Sequence, residues 1–241
     1  MAKCFSLSRL IAAGALGAAL SASGPMTADA ATVWVRDGNG GTVFDGAVGS
    51  VNLTITVNGV STAVAAGAFA LQYSFDLGSW TNFLTYCLEP DELLGVSGTT
   101  PRVGSFIGGI GNAADYASTA AAVRGLVNTW FADSLTTATR SAAFQVALWE
   151  LAFDGNGDLA AGGFRFTQGG STAGAVRSQA LLYMDAANWV GGGDDLGVIR
   201  RTGSQDLWPR LCRKALAPEG ISHVPGGEPG KPRTGSMAPP A

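Results

Sequence analysis

The chain has 241 residues, a formal net charge of −3 and a charged fraction of only 14%, with 35 glycines. That length suits one domain with a sizeable core, and the sparse charge predicts a surface of Ser, Thr, Asn and Gly. Between Ala31 and Leu207, 15 acidic residues stand against 8 arginines and no lysine, a net charge of −7 that argues against nucleic acid as a partner.

Residues 1–30 read as an export signal. Lys3 and Arg9 supply a basic start, Leu10 to Leu20 an apolar stretch too short to span a bilayer, and Ala28-Asp29-Ala30 a small-x-small cleavage site. The mature chain is expected to begin near Ala31, secreted or at the cell surface. Cys4 leaves with the signal, and because it precedes the apolar stretch it is not placed for acylation.

The mature chain opens in strand-like sequence. Thr32 to Arg36 predicts a strand, and Val51, Leu53, Ile55 and Val57 alternate with Asn52, Thr54 and Thr56 at the strand period. Asn58-Gly59 fits a type I′ hairpin turn, so a partner strand is predicted over Val60 to Val64. Further strands are predicted at Phe69 to Phe75 and Phe83 to Leu88. The latter puts Phe83, Thr85 and Cys87 on one face and Leu84, Tyr86 and Leu88 on the other.

Helical spacing follows. Tyr116, Ala120, Val123, Val127 and Trp130 form one apolar stripe over residues 114 to 132, with Asn112 or Asp115 available as a cap. A second helix from about Thr137 to Phe153 turns Phe144, Ala147, Leu148 and Leu151 inward. Its flank aligns Ala138, Ala142, Gln145, Trp149 and Ala152, setting the polar Gln145 beside the core. A third helix is predicted over Ala173 to Val190, with extended pieces near Val198. Strands before helices predict an α+β fold, an antiparallel β-sandwich or barrel packed against two or three helices.

Past Leu207 the composition breaks. Residues 208–241 hold seven of the ten prolines and all the lysines outside the signal, with no apolar periodicity, which predicts a disordered tail. In shifted reading frames, back-translation of Leu211 to Lys214 can give Val-Pro-Glu, Val224 to Glu228 can give Phe-Leu-Ala-Gly, and Met237 to Ala241 can give Trp followed by arginines. These pieces resemble the C-terminal sorting signal of PEP-CTERM proteins, which are exported and then cut by an exosortase in Gram-negative bacteria that make exopolysaccharide. The resemblance implies a frameshifted signal, so an exosortase becomes a partner only if the frame is restored. As written, the chain is expected to carry no transmembrane anchor.

Cys87 is the single cysteine between Ala31 and Leu207, so this domain cannot form a disulfide of its own. Tyr86-Cys87-Leu88 and Phe144-Gln145-Val146-Ala147-Leu148-Trp149-Glu150 resemble the two short motifs of bacterial thioester domains, in which a strand cysteine is joined to a helix glutamine. PEP-CTERM proteins show a similar motif pair. The resemblance implies that the Cys87 thiolate attacks the Gln145 side-chain carbonyl, expels ammonia and leaves a thioester able to capture a partner amine. Tyr86, Phe144 and Trp149 would keep water out. Trp149 and Glu150 could orient an incoming group. The absence of lysine from Ala31 to Leu207 would spare the bond from amines within the domain, although a genome that prefers arginine explains it equally.

Other readings stand beside this one. A lone cysteine is commonly a small buried hydrophobe, a helix-flank glutamine commonly bonds to backbone, Trp149 commonly packs in a core, and Glu150 is expected on an exposed helix face. Asp154-Gly155-Asn156-Gly157-Asp158 has the alternating oxygens of a calcium loop, but Arg165 occupies the twelfth position, so it reads as a helix-ending turn. Glu89, Asp91 and Glu92 form an acidic cluster that reads as a solvated loop. The only histidine, His223, lies in the tail, which leaves the domain no Ser-His-Asp triad and no histidine metal site. No metal, cofactor or enzymatic activity is expected.

The expected function is adhesion or matrix assembly on a surface or matrix polymer, amine-bearing if the thioester forms, in association with biofilm or exopolysaccharide. The alternative is a secreted carbohydrate-binding module, for which exposed coplanar tryptophans among Trp34, Trp80, Trp130, Trp149 and Trp189 would form the platform. Contact between Cys87 and Gln145 separates the two readings.

Overall fold

The computed structural model describes residues 31–38, 43–90, 94–96, 98–190, 197–201 and 204–209. The expected signal peptide and most of the tail lie outside them, as do Asp91 and Glu92. The fold is α+β. Six antiparallel strands close a barrel in the order β1-β4-β5-β9-β8-β6, where β1 is Ala31–Asp37, β4 Phe69–Ser74, β5 Thr81–Cys87, β6 Arg102–Ile107, β8 Val198–Arg201 and β9 Ser204–Pro209. A second sheet of order β3-β2-β7 joins β2 (Val51–Val57), β3 (Val60–Ala66) and the short β7 (Phe164–Arg165). The helices are α1 (Ala120–Ser134), α2 (Ala138–Phe153) and α3 (Ser171–Met184).

The β2–β3 hairpin forms as its sequence dictates. Asn58 and Gly59 adopt φ of 50° and 84°, the left-handed pair a type I′ turn requires, and the register runs without interruption from Val57↔Val60 to Val51↔Ala66. Leu53, Ile55 and Val57 are buried, as the alternation predicts.

Two cores result. Val33, Val35, Leu71, Tyr73, Phe106, Ile199 and Leu207 fill the barrel. The larger core lies between the second sheet, the helices and the outward face of β5, with α2 at its centre: every residue from Ser141 to Ala152 is buried. Thr137 starts α2 by accepting the Arg140 N–H at 3.2 Å. Among the described residues no helix is long and apolar enough to cross a membrane.

Several expectations need correction. The stripe over residues 114 to 132 is two structures: a 3₁₀ turn at Ala114–Tyr116, then α1 from Ala120, whose N-cap is Thr119 with no side-chain cap bond. Because α1 starts only at Ala120, neither Asn112 nor Asp115 stands at its N-cap position. The third helix stops at Met184, where Asp185 turns extended and caps a 3₁₀ turn by accepting the Ala187 N–H. Strand β9 runs to Pro209, two residues past the domain end expected at Leu207.

Candidate functional site

Strand β5 pairs with β4 over its first five residues and with β9 over its last three, the two partners overlapping only at Thr85. The β4–β5 register ends at Phe69↔Thr85, whereas β9 continues alongside as far as Cys87↔Leu207, and the Leu88 N–H donates to the Asp206 carbonyl at 3.0 Å. By the parity of an antiparallel ladder, the N–H and C=O of Cys87 point to the side β4 has vacated. Gln145 fills that gap. Its Oε1 accepts from the Cys87 N–H at 3.1 Å, and its Nε2 donates to the Cys87 carbonyl at 2.7 Å. The side-chain amide therefore acts as one more rung of β4, inserted from α2.

One helical turn earlier, Ser141 does the same for the departing strand. Its Oγ accepts from the Ala68 N–H at 2.8 Å. Beside this bend Gly67 passes so close to the Gly49 carbonyl that a Cβ would stand 2.8 Å from it. The Tyr86 hydroxyl donates to Ser134 Oγ at 2.8 Å and lies 3.1 Å from Ser141 Oγ, and its ring packs on Phe144 with centroids 4.6 Å apart. Burial raises the Tyr86 phenol to about 12. Ser141 is absent from the sequence motifs. Its position four residues before Gln145, on the same helix face, was the signal that could have found it.

Cys87 and Tyr86 lie in different cores, as the alternation predicts: Cys87 with the barrel, Tyr86 with the helices. The Cys87 thiol is buried, and burial first, then the charge of Glu89, holds it well above the ordinary thiol range. Above it a groove of about 640 Å³ opens between β3 and the barrel, with Phe44, Val57, Val60, Phe69, Cys87 and Trp149 in its lining. Among the described residues no lining side chain is charged, and Asn58 and Thr62 bring the only polar ones besides the Cys87 thiol and the Trp149 indole.

Glu150 is a correction: the helix face expected in solvent is covered, and Glu150 is 0% exposed. The chain folds back after α2, so that Glu150 Oε1 accepts the Asp158 N–H at 3.2 Å while Oε2 is without a hydrogen bond. Burial, then the charge of Asp154, raises its carboxyl from 4.5 to about 7. Trp149 is buried, with its Nε1 also unbonded.

The acidic loop after α2 serves the backbone. Asp154 accepts from the N–H groups of Gly163 and Phe164, Asn156 from Asp158, and Asp158 from Ala160. Among the described residues no group of three or more His, Cys, Asp or Glu is arranged to hold a metal ion. Glu89, expected in a solvated loop, accepts the Asp206 N–H at 2.9 Å, which anchors β9 beside Cys87.

The five candidate tryptophans do not form a platform. Trp130 and Trp189 pack on the helical core, Trp149 is 3% exposed, and the Arg36 guanidinium covers the Trp80 ring at 4.0 Å. Trp34 is half-buried on β1.

Among solved structures, the chain is similar to the N-terminal thioester domain of fibronectin-binding protein SfbI from Streptococcus pyogenes, at 15% identity and a TM-score of 0.41 over 58% of this chain and 84% of that one. It is also similar to the N-terminal thioester domain of a surface protein from Clostridium perfringens, at 13% identity and a TM-score of 0.39 over 59% and 88%. No family model and no curated protein matches it.

Proposed function

We infer that this chain is an exported, non-enzymatic surface or matrix protein for adhesion, and that Cys87 and Gln145 form an internal thioester that captures amines. The observation that carries this reading is the clasp of the Gln145 amide on the main chain of Cys87 in a buried site. In the step, the Cys87 sulfur bonds to Gln145 Cδ, the bond from Cδ to Nε2 breaks, and ammonia leaves with the thiol proton. A partner amine then attacks Cδ, forms an amide and returns the thiol to Cys87.

The local groups suit that chemistry. The Cys87 N–H already donates to Oε1 and would stabilise the charge that grows there when the sulfur adds. Burial protects a thioester from water. The high affinity of the buried thiol for its proton makes the sulfur a slow nucleophile, which suits a bond made once during maturation rather than a turnover enzyme.

Treating the mature protein with methylamine and mapping the product tests the reading. The expected result is a methylamide on Gln145 together with a newly alkylatable Cys87. An unmodified Gln145 and a Cys87 of unchanged reactivity would leave the two hydrogen bonds as a structural staple and no covalent capture.

A further inference from the structure

Strand β3 is the edge of the second sheet, and among the described residues no strand pairs with its outer side. In a hairpin with a two-residue turn, Val57 and Val60 are the first hydrogen-bonded pair, so Val60, Thr62, Val64 and Ala66 bond to β2 while Ser61, Ala63 and Ala65 turn N–H and C=O outward. The other flank of β2 confirms the parity: Thr56 pairs with Arg165 and the Thr54 N–H donates to Gln168 Oε1 at 2.6 Å. Among the described residues nothing bonds the outward groups of Ser61, Ala63 and Ala65.

This edge lacks the usual protections. Val60–Ala66 contains no charged residue and no proline, and its register shows no bulge. The opposite edge of the same sheet, β7, is only two residues long and carries Arg165. Four consecutive residues of β3, Thr62 to Ala65, line the groove above Cys87. Side chains alternate between the faces of a strand, so a consecutive run lines a groove only where the groove follows the strand edge. Val60, on the core face of β3, stands 66% exposed at the mouth.

The same lining selects the chemistry of the occupant. A polysaccharide would bring a dense set of hydroxyls to a wall with few polar side chains and leave many unpaired, at a cost per group. An extended peptide brings its own N–H and C=O groups in register with Ser61, Ala63 and Ala65, and uncharged side chains complement an uncharged lining. From Ser61 to Ala65 the edge spans about 14 Å, room for about five residues.

We propose that the β3 edge is the docking site for an extended polypeptide segment of a partner protein, uncharged apart from its nucleophilic amine, which adds as a fourth strand and carries that amine along the groove to Cys87. The delivery step rests on the thioester reading. The docking step does not.

The experiment uses the mature protein and a synthetic peptide of alternating Val and Thr with one central Lys, capped at both ends, beside its twin N-methylated at every residue flanking the Lys. In the Cys87→Ala protein, where no thioester can form, the peptide is expected to slow amide hydrogen exchange at Ser61, Ala63 and Ala65 by about tenfold, and the twin to leave it unchanged. In the parent protein the adduct is expected to form about tenfold faster from the peptide than from the twin. Ala63→Pro, which removes an outward donor without touching the β2 ladder and whose fold is verified by its melting temperature, should erase that preference. Protection without any adduct would sink the thioester and leave the docking intact. Unchanged exchange at the three amides, or adducts that form from the two peptides at the same measurable rate, would overturn the docking. So would protection that rises with protein concentration alone, since a second copy would then occupy the edge.

Discussion

The side-chain amide of Gln145 and the main chain of Cys87 exchange two hydrogen bonds, of 3.1 and 2.7 Å, at the point where β4 parts from β5. A glutamine on a helix thus completes a strand, and the group that would become the acyl donor is the one that completes it.

Gln145→Ala, made in the Cys87→Ala background so that only hydrogen bonds are compared, is expected to cost about 2–4 kcal/mol, because it strands a buried N–H and a buried C=O together. Urea unfolding measures it. A loss below about 1 kcal/mol would mean that water or a neighbour replaces the amide.

Ser141→Ala removes the acceptor of the Ala68 N–H and a neighbour of the Tyr86 hydroxyl at a fully buried position. About 1–3 kcal/mol should be lost. Tyr86→Phe, with Ser134 able to keep its bond to the Phe131 carbonyl, should cost about 1 kcal/mol, less than Ser141→Ala. The reverse order in thermal unfolding would contradict the assignment of Ser141 as the support of the strand bend.

Glu150 makes stability depend on pH. Its folded pKa is raised, so the protonated form favours the fold: its contribution is fully present below 4.5 and is lost as pH rises through about 7. Glu150→Gln keeps an acceptor for the Asp158 N–H and cannot ionise. It should match the parent near about pH 4 and exceed it by about 2–3 kcal/mol above about pH 8. Parallel stability curves for the two proteins across that range would refute the role of Glu150.

Capture of methylamine should quicken about tenfold per pH unit below the amine pKa, since the described residues of the groove lining offer no charged side chain to stabilise an ammonium and the amine must arrive neutral. A single-exponential adduct rate followed by mass at several pH values gives the slope. A flat profile would point to a base within the site.

Much of this arrangement was legible in the chain, for local reasons. The alternation over Val51–Val57 and the Asn58-Gly59 turn determine a hairpin between neighbours, and the alternation in β5 separates Cys87 from Tyr86. The closure of the barrel was not legible, because β8 and β9 are short and β9 pairs with β5 across more than a hundred residues of chain. Helix periodicity set Gln145 beside a core but could not show that β4 ends at Phe69 and leaves a gap for it. Glu150 was misread for the same reason: α2 is covered on all sides, so its polar face has no solvent to meet.

The intact mass of the mature protein, set against its Cys87→Ala variant after correction for the substitution, tests the central claim most directly. The account predicts that the parent alone is lighter by one ammonia and that thiol reagents fail to label Cys87 in the denatured protein. Full mass with Cys87 labelled as well as Cys212 would contradict it, and Gln145 would then hold Cys87 by hydrogen bonds alone.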